Sequence, residues 1–242
     1  MNIAVIDYQG GNVQSVLFAL QRLGVHNAML TSDADEIRRA DRVLFPGEGE
    51  ASSAMRALRA AGLDELLPTL RQPFLGICLG MQLLGRHSAE GPAGGTPLLG
   101  LLPFDVVRFA PTDANDKVPH MGWNSLRELH GPLFGGIRGE QAVAHPAVES
   151  ALKPATGLGA RAVEGELPSS GRLAADYVYF VHSYYAPVGE YTIAQAQYPV
   201  AMSFSAGVRH RNFYGVQFHV EKSGPVGERI LRNFLTEGAI GG

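Results

Sequence analysis

Short uninterrupted apolar runs alternate along the first third of the chain with apolar positions at helical spacing. Ile3 to Ile6 is wholly aliphatic and stops at Asp7; Val13, Val16, Leu17, Leu20 and Leu23 then recur every three or four residues until Gly24 ends the series. That sequence of patterns predicts a buried strand followed by a helix with one apolar stripe. Val43-Leu44-Phe45 repeats the run and closes on Pro46-Gly47-Glu48-Gly49 before the helix-prone ASSAMRALRAAG, and Phe74 to Ile77 repeats it again before Leu79 to Leu84. Three such units within the first 90 residues predict an α/β fold with an open, mostly parallel sheet flanked by helices. In such sheets ligands sit outside the carboxyl ends of the strands, here the turns Asp7-Tyr8-Gln9, Pro46-Gly47 and Cys78-Leu79.

The second half changes character. Phe104 to Phe109, Tyr177 to His182, Tyr191 to Tyr198, Ala201 to Ser205 and Phe213 to His219 read as strands with few helices between them, which adds antiparallel strands to the sheet. A last helix is expected over roughly Val226 to Leu235. Between Arg138 and Asp176 the chain is rich in Ala, Gly and Glu, with three prolines and no aromatic residue, and reads as a surface insertion, partly disordered or weakly helical. The expectation is therefore one domain over residues 1–242 with an insertion at about 138–176.

Composition narrows the class. With 242 residues, 45% hydrophobic and 18% charged, there is material for a sizeable core, and a net charge of -3 without a basic block argues against nucleic acid as main partner. The longest uncharged stretch, Tyr191 to Val208, carries Gln195, Gln197, Pro199, Ser203 and Ser205, so it is no membrane span. The N-terminus has no cationic leader and reads as a first strand, which makes the cytoplasm the expected compartment. The sole cysteine, Cys78, excludes an internal disulfide and any cysteine cage for a metal; HExxH and GxxxxGK[ST] motifs are absent, so neither metal nor cofactor is expected.

Gly76-Ile77-Cys78-Leu79-Gly80 places that cysteine between two glycines at a strand-to-helix turn, the layout of a nucleophile elbow. On so sharp a turn a Cβ two residues before or after would clash, and the helix N-terminus favours thiolate. An ordinary thiol, with a pKa of about 8.5, is mostly protonated at neutral pH, so a base nearby is required. His219 and Glu221, two apart in Gly215-Val216-Gln217-Phe218-His219-Val220-Glu221, share one face of extended backbone, where the carboxylate can hold the imidazole ready to accept the thiol proton. The Pro46-Gly47-Glu48-Gly49 turn, with the amide of Leu79, offers donors to a developing oxyanion. Taken singly, each piece also has an ordinary explanation: a small buried thiol, a surface His/Glu pair, a plain Pro-Gly turn.

Taken together, GICLGMQLL, GVQFHVEKS and the PGEG turn resemble the triad-type, class I glutamine amidotransferases, in the order turn, Cys, His, Glu. Lys117-Val118-Pro119-His120-Met121-Gly122-Trp123-Asn124, Tyr179-Phe180-Val181-His182-Ser183-Tyr184-Tyr185 and Asp7-Tyr8-Gln9-Gly10-Gly11-Asn12 are similar to motifs of the glutaminase subunits of imidazole glycerol phosphate synthases. The likeness spans nearly the whole chain outside about 138–176. It implies that Cys78 attacks the side-chain amide of L-glutamine, that His219 shuttles the proton and Glu221 orients it, and that Gly47, Glu48, Gly49 and Leu79 build the oxyanion hole. It further implies that Gln82, Glu90, His182, Ser183 and Tyr184 hold the substrate's amino-acid end. Lys117, Pro119, His120, Trp123 and Asn124 then belong to an interface and ammonia gate toward a separate cyclase, a (β/α)8 barrel that makes imidazole glycerol phosphate and an aminoimidazole carboxamide ribotide. Without the resemblance, Gln82 would read as a helix surface residue, Ser183 as a strand-end cap and Trp123 as a core anchor.

Two positions depart from the family pattern: Glu48 stands where a small apolar residue is usual, and Val220 where proline follows the histidine. A carboxylate near a site that stabilises negative charge is expected to point away. Competing readings are the glutaminase of another pathway (anthranilate, carbamoyl phosphate, guanylate or pyridoxal phosphate synthesis), a partner-independent cysteine hydrolase, and a catalytically dead docking module. The Lys117–Asn124 stretch opposes the first and the complete Cys, His, Glu set the last.

Overall fold

The first apolar run forms β1 (Ile3–Ile6), buried at all four positions, and the helix-spaced series forms α1 (Val13–Arg22), which lays Val16, Ala19 and Leu20 on the sheet. The computed structural model describes residues 1–8, 11, 13–111, 117–140, 175–199 and 202–236. Next come β2 (Ala28–Thr31) and α2 (Ala34–Arg39), whose first turn is capped by the Asp33 carboxylate accepting the amides of Asp35 and Glu36. β3 (Arg42–Gly47) leads into α3 (Ala51–Ala60) and α4 (Leu63–Leu66), and β4 (Phe74–Cys78) into the four-residue α5 (Leu79–Gln82). Three short strands follow: β5 (His87–Ser88), β6 (Thr96–Pro97) and β7 (Asp105–Arg108). Then come β8 (His120–Ser125), β9 (Tyr177–His182), β10 (Tyr184–Tyr185), β11 (Thr192–Gln197), β12 (Ser203–His210) and β13 (Phe213–Val216), and α6 (Gly224–Thr236) closes the described chain.

Seven strands make one sheet in the order β11-β12-β13-β4-β3-β1-β2. Five of them, β2, β1, β3, β4 and β13, run parallel, and β12 is reversed between β13 and β11. Alternating side chains feed two core layers, one with Val5, Leu44 and Ile77 packed with Ile230 and Phe234 of α6, the other with Ile6, Val43 and Phe45 packed with Met55 and Leu58 of α3. β4 is central and wholly buried, so the residue at its carboxyl end is held from both sides. The fold is the α/β class expected from the sequence, a largely parallel sheet with antiparallel additions in the second half.

Several boundaries differ. The run expected to be extended from Phe213 to His219 leaves the sheet at Val216, bends, and makes a 3-10 turn over Val220–Lys222, so His219 and Glu221 lie on a turn, not a strand. Of the strand expected from Ala201 to Ser205, residue 201 lies outside the described residues and Ser203–Ser205 begin the longer β12, and the helix expected to Leu84 stops at Gln82. Of the expected insertion, residues 141–174 lie outside the described residues. Its flanks meet: the Arg138 amide donates to the Asp176 carboxylate at 2.9 Å and the Asp176 amide to the Arg138 carbonyl at 2.8 Å. Among the described residues no helix is long and apolar enough to cross a membrane.

Candidate active site

Cys78 ends β4 and caps α5 with φ 55° and ψ -112°, a region L-residues rarely enter. The two glycines make this turn possible. A Cβ on Gly80 would collide with the Phe45 carbonyl oxygen of β3, and one on Gly76 would come 2.6 Å from the Gly80 carbonyl oxygen. The elbow predicted from spacing is therefore present, and the thiol is directed toward the Val181 carbonyl at 3.8 Å.

His219 and Glu221 stand on the turn after β13, the parallel neighbour of β4. Nδ1 of His219 and Oε1 of Glu221 are 2.8 Å apart, both residues buried. Burial alone would depress the imidazole pKa. Hydrogen bonding with Cys78 and Glu221, reinforced by their charges, overcomes it and raises the pKa to about 10. The His219 backbone is fixed as well: its amide donates to the Tyr179 carbonyl at 2.9 Å and its carbonyl accepts the Ser223 hydroxyl at 2.7 Å, while that hydroxyl accepts the Tyr179 amide at 3.0 Å. Ser223 was not singled out from the sequence; its place in the GVQFHVEKS motif was the available signal.

Register places Gly47 directly beside Cys78 on the neighbouring strand, and the chain then turns through Glu48 and Gly49, the latter at φ 96°. Glu48 lays its carboxyl end against Gly11, and the residue forms part of the cavity wall. The Tyr8 hydroxyl lies against Gly47, buried and without a hydrogen-bond partner among the described residues. Burial, and then the charges of Cys78 and Glu48, push its phenol well above the usual range.

A cavity of about 310 Å³ opens over these groups. Lining it are Cys78, Leu79, His219, Glu48, Gly49, Gln82, Glu90, Pro119 and Lys222, together with the continuous rim segment Val181, His182, Ser183 and Tyr184. Behind the wall, Gln82 donates to the Tyr184 carbonyl and to the Gln217 side-chain oxygen, both at 2.9 Å, and Gln217 Nε2 lies 3.9 Å from Cys78 Sγ. Gln82 is thus buried, not a helix surface residue. Gln217, also overlooked in the sequence, sits in the same motif as His219, and only the fold shows that it faces the sulfur. The Glu90 carboxylate accepts the Ala51 amide at 2.8 Å, at the start of α3; burial raises its pKa, against the pull of that amide and with the Glu50 charge.

The Lys117–Asn124 motif splits between two surfaces. Along β8, Met121 and Trp123 are 66% and 57% exposed whereas His120 is buried, because alternate residues of a strand face opposite ways. Trp123 is thus no core anchor; among the described residues its aromatic neighbour is Tyr179, met in a T-shaped contact. Lys117 lends its carbonyl to the Tyr198 hydroxyl, and Asn124 donates to the Gln197 carbonyl at 2.9 Å. Of the opening motif, residues 9, 10 and 12 lie outside the described residues. Among those described, no group of three or more His, Cys, Asp or Glu side chains is placed to hold a metal.

A family model described as glutamine amidotransferase class-I matches residues 4–149. The chain is 44% identical over 235 residues to the imidazole glycerol phosphate synthase subunit HisH of Bacteroides thetaiotaomicron, covering 97% of this chain and 99% of that protein. It is 43% identical to HisH 2 of Legionella pneumophila strain Paris, covering 97% of each. In three dimensions it is similar to a Thermoplasma acidophilum protein described as a GMP synthase component, with TM-score 0.61 at 20% identity over 97% of this chain and 92% of that one. A solved glutamine amidotransferase gives TM-score 0.60 at 17% identity, with 97% of each chain covered. These structural likenesses speak for the fold, and the sequence matches go further: the chain belongs to the class-I glutamine amidotransferase family, alongside the HisH subunits of imidazole glycerol phosphate synthase.

Proposed function

We propose that this chain is the glutaminase subunit of an imidazole glycerol phosphate synthase in histidine biosynthesis, with Cys78, His219 and Glu221 as its triad. The observation that carries the reading is the buried 2.8 Å His219–Glu221 pair hydrogen-bonded with a cysteine on a strained elbow, opening into one cavity. The raised pKa of His219 suits its imidazole to take and hold the proton of the Cys78 thiol. Sγ adds to the glutamine side-chain carbonyl carbon. As the tetrahedral intermediate collapses, the C–N bond breaks, His219 gives its proton to the leaving nitrogen, and ammonia departs from a glutamyl thioester. His219 then takes a proton from water, whose oxygen attacks the thioester and releases glutamate and the thiolate.

Amides of Leu79 and of the Gly47–Gly49 turn stabilise the oxyanion, at roughly 3 kcal/mol per donor. Gln82, Glu90 and the His182–Tyr184 segment border the space for the amino-acid end of the substrate. Pro119 lines the cavity two residues before the exposed Met121, which supports ammonia leaving on the β8 side toward a (β/α)8 cyclase barrel docked on that face.

The test is glutamate release from L-glutamine by the purified chain, alone and with the barrel subunit of an imidazole glycerol phosphate synthase plus its nucleotide substrate, with Cys78→Ala as blank. The expected result is release that rises on adding the loaded barrel and vanishes in Cys78→Ala. Equal release without the barrel would keep the triad and remove the pathway assignment, and ester or peptide hydrolysis indifferent to glutamine would replace the reading with a general cysteine hydrolase.

A further inference from the structure

Two buried imidazoles join the exposed strand to the cavity rim, and their hydrogen bonds run one way. His182 Nδ1 is 2.8 Å from the Tyr184 carbonyl oxygen, which can only accept, so that nitrogen carries the proton and Nε2 carries the lone pair. The nitrogen facing that lone pair, His120 Nδ1 at 3.0 Å, must therefore donate, leaving His120 Nε2 as an acceptor. Its neighbour is the amide nitrogen of Asn124, a donor, at 3.4 Å. The Asn124 amide cannot be turned round: its oxygen accepts the Ser125 amide at 2.8 Å and its nitrogen donates to the Gln197 carbonyl at 2.9 Å. Every tautomer in the chain is thus fixed by a partner whose role is unambiguous.

The direction matters because of what stands at each end. Asn124 and His120 belong to β8, whose opposite face carries the exposed Met121 and Trp123. At the other end, the Tyr184 carbonyl also accepts Gln82 Nε2, and the Ser183 carbonyl accepts the Phe109 amide at 3.0 Å, so this rim segment is tied down by three separate donors. The register sets His120 directly opposite His182, and His120 is stacked on Tyr198 at 4.1 Å and on Phe180 at 4.8 Å between ring centres, so aromatic contacts hold the His120 ring where it faces His182. We propose that His120 is a positioning residue: it locks His182, and through it the Ser183–Tyr184 rim, in the geometry that receives the substrate carboxylate, and passes displacements of β8 to that rim. Both imidazoles stay neutral, since burial holds His120 down to about 4, and burial together with the neighbouring His120 and His219 holds His182 down to about 3 against the pull of the Tyr184 carbonyl. A rigid hydrogen-bonded chain with one arrangement is the kind of element through which two sites can be coupled.

This inference rests on the glutaminase reading, and the two fail separately. The experiment compares H120F, which keeps the stacked ring but has no donor for His182, with H120N, which keeps a side-chain N–H at the position of Nδ1. Steady-state glutamine hydrolysis is followed in the complex with the barrel and its nucleotide. H120F is expected to raise KM for glutamine about tenfold and to lower the stimulation by the nucleotide, with H120N restoring most of both. H120F and H120N both matching the unsubstituted complex would overturn the inference alone; no glutamate from the unsubstituted complex would overturn the glutaminase reading. Independently of folding of the variants, nitrogen-15 shifts of the imidazoles in the unsubstituted chain should show Nδ1–H tautomers at both positions, and an Nε2–H tautomer at His182 would sink the one-way chain.

Discussion

At Cys78 the backbone carries the cost of the site. A non-glycine residue held at φ 55° is strained by about 1–3 kcal/mol, and it stays there because Gly76 and Gly80 let the turn close against β3 while β3 and β13 clamp β4 from both sides. His219 is held by its charge environment as much as by its position. Glu221→Gln keeps an oxygen for Nδ1 but removes the negative charge, so the imidazole no longer holds its proton up to about 10. The expected outcome is a fall in kcat of about 10²- to 10⁴-fold with a small change in KM, and an alkaline limb of the rate profile displaced to lower pH, measured by glutamate release across pH. Much of this residue-level picture is legible in the sequence, because a cysteine between glycines and a His/Glu pair are local patterns. What was not legible is the back wall: Gln217 and Ser223 act through contacts that exist only once β13 lies beside β4 and the chain after it turns under β9.

Elements show the same division between local and non-local signals. β1, β3 and β4 announce themselves as aliphatic runs because they are buried on both faces. β2 is the edge strand, and its short apolar stretch Ala28-Met29-Leu30 marks no buried core because Met29 and Leu30 are exposed; the two-residue strands β5, β6 and β10 are too short for any periodicity. The His/Glu pair was correctly joined but on a mistaken element: spacing of two brings side chains together on a 3-10 turn just as it shares a face on a strand. The β8–β9 pair carries its own pH dependence. Folded His120 and His182 hold pKa values of about 4 and about 3, below the 6.5 of an unfolded chain, so the unfolded state takes up protons that the folded state refuses. Stability from these groups is complete above about pH 6.5 and drains away as pH falls toward 4, by about 2 kcal/mol at pH 5 for a histidine titrating alone. Urea midpoints measured between pH 7 and pH 5 should decline, and less steeply in His120→Phe; equal slopes would place the lost protons elsewhere.

For the molecule as a whole, the β8–β9 pair also supplies an apolar face on which Met121, Trp123 and Tyr177 are exposed together. Only the motif hinted at this; that Trp123 points outward follows from strand alternation with His120 turned inward. Because Trp123 is more than half exposed, Trp123→Ala should leave the unfolding midpoint of the isolated chain nearly unchanged. Loss of such an aromatic anchor is expected to weaken capture of the barrel subunit by about 2 kcal/mol, close to 30-fold in Kd, as read by titration calorimetry. At the edge of that face, one residue before Tyr177, the reciprocal bonds between Arg138 and Asp176 have a different consequence. Two positions 38 apart in sequence are fastened as if they were neighbours, so whatever length of chain leaves one and returns to the other begins and ends at the same point. Closing such an excursion costs only about 0.6 kcal/mol for each doubling of its length. The clasp therefore frees the rest of the protein from the length of what it encloses, and related chains can lengthen, shorten or replace that excursion without moving a strand of the main sheet.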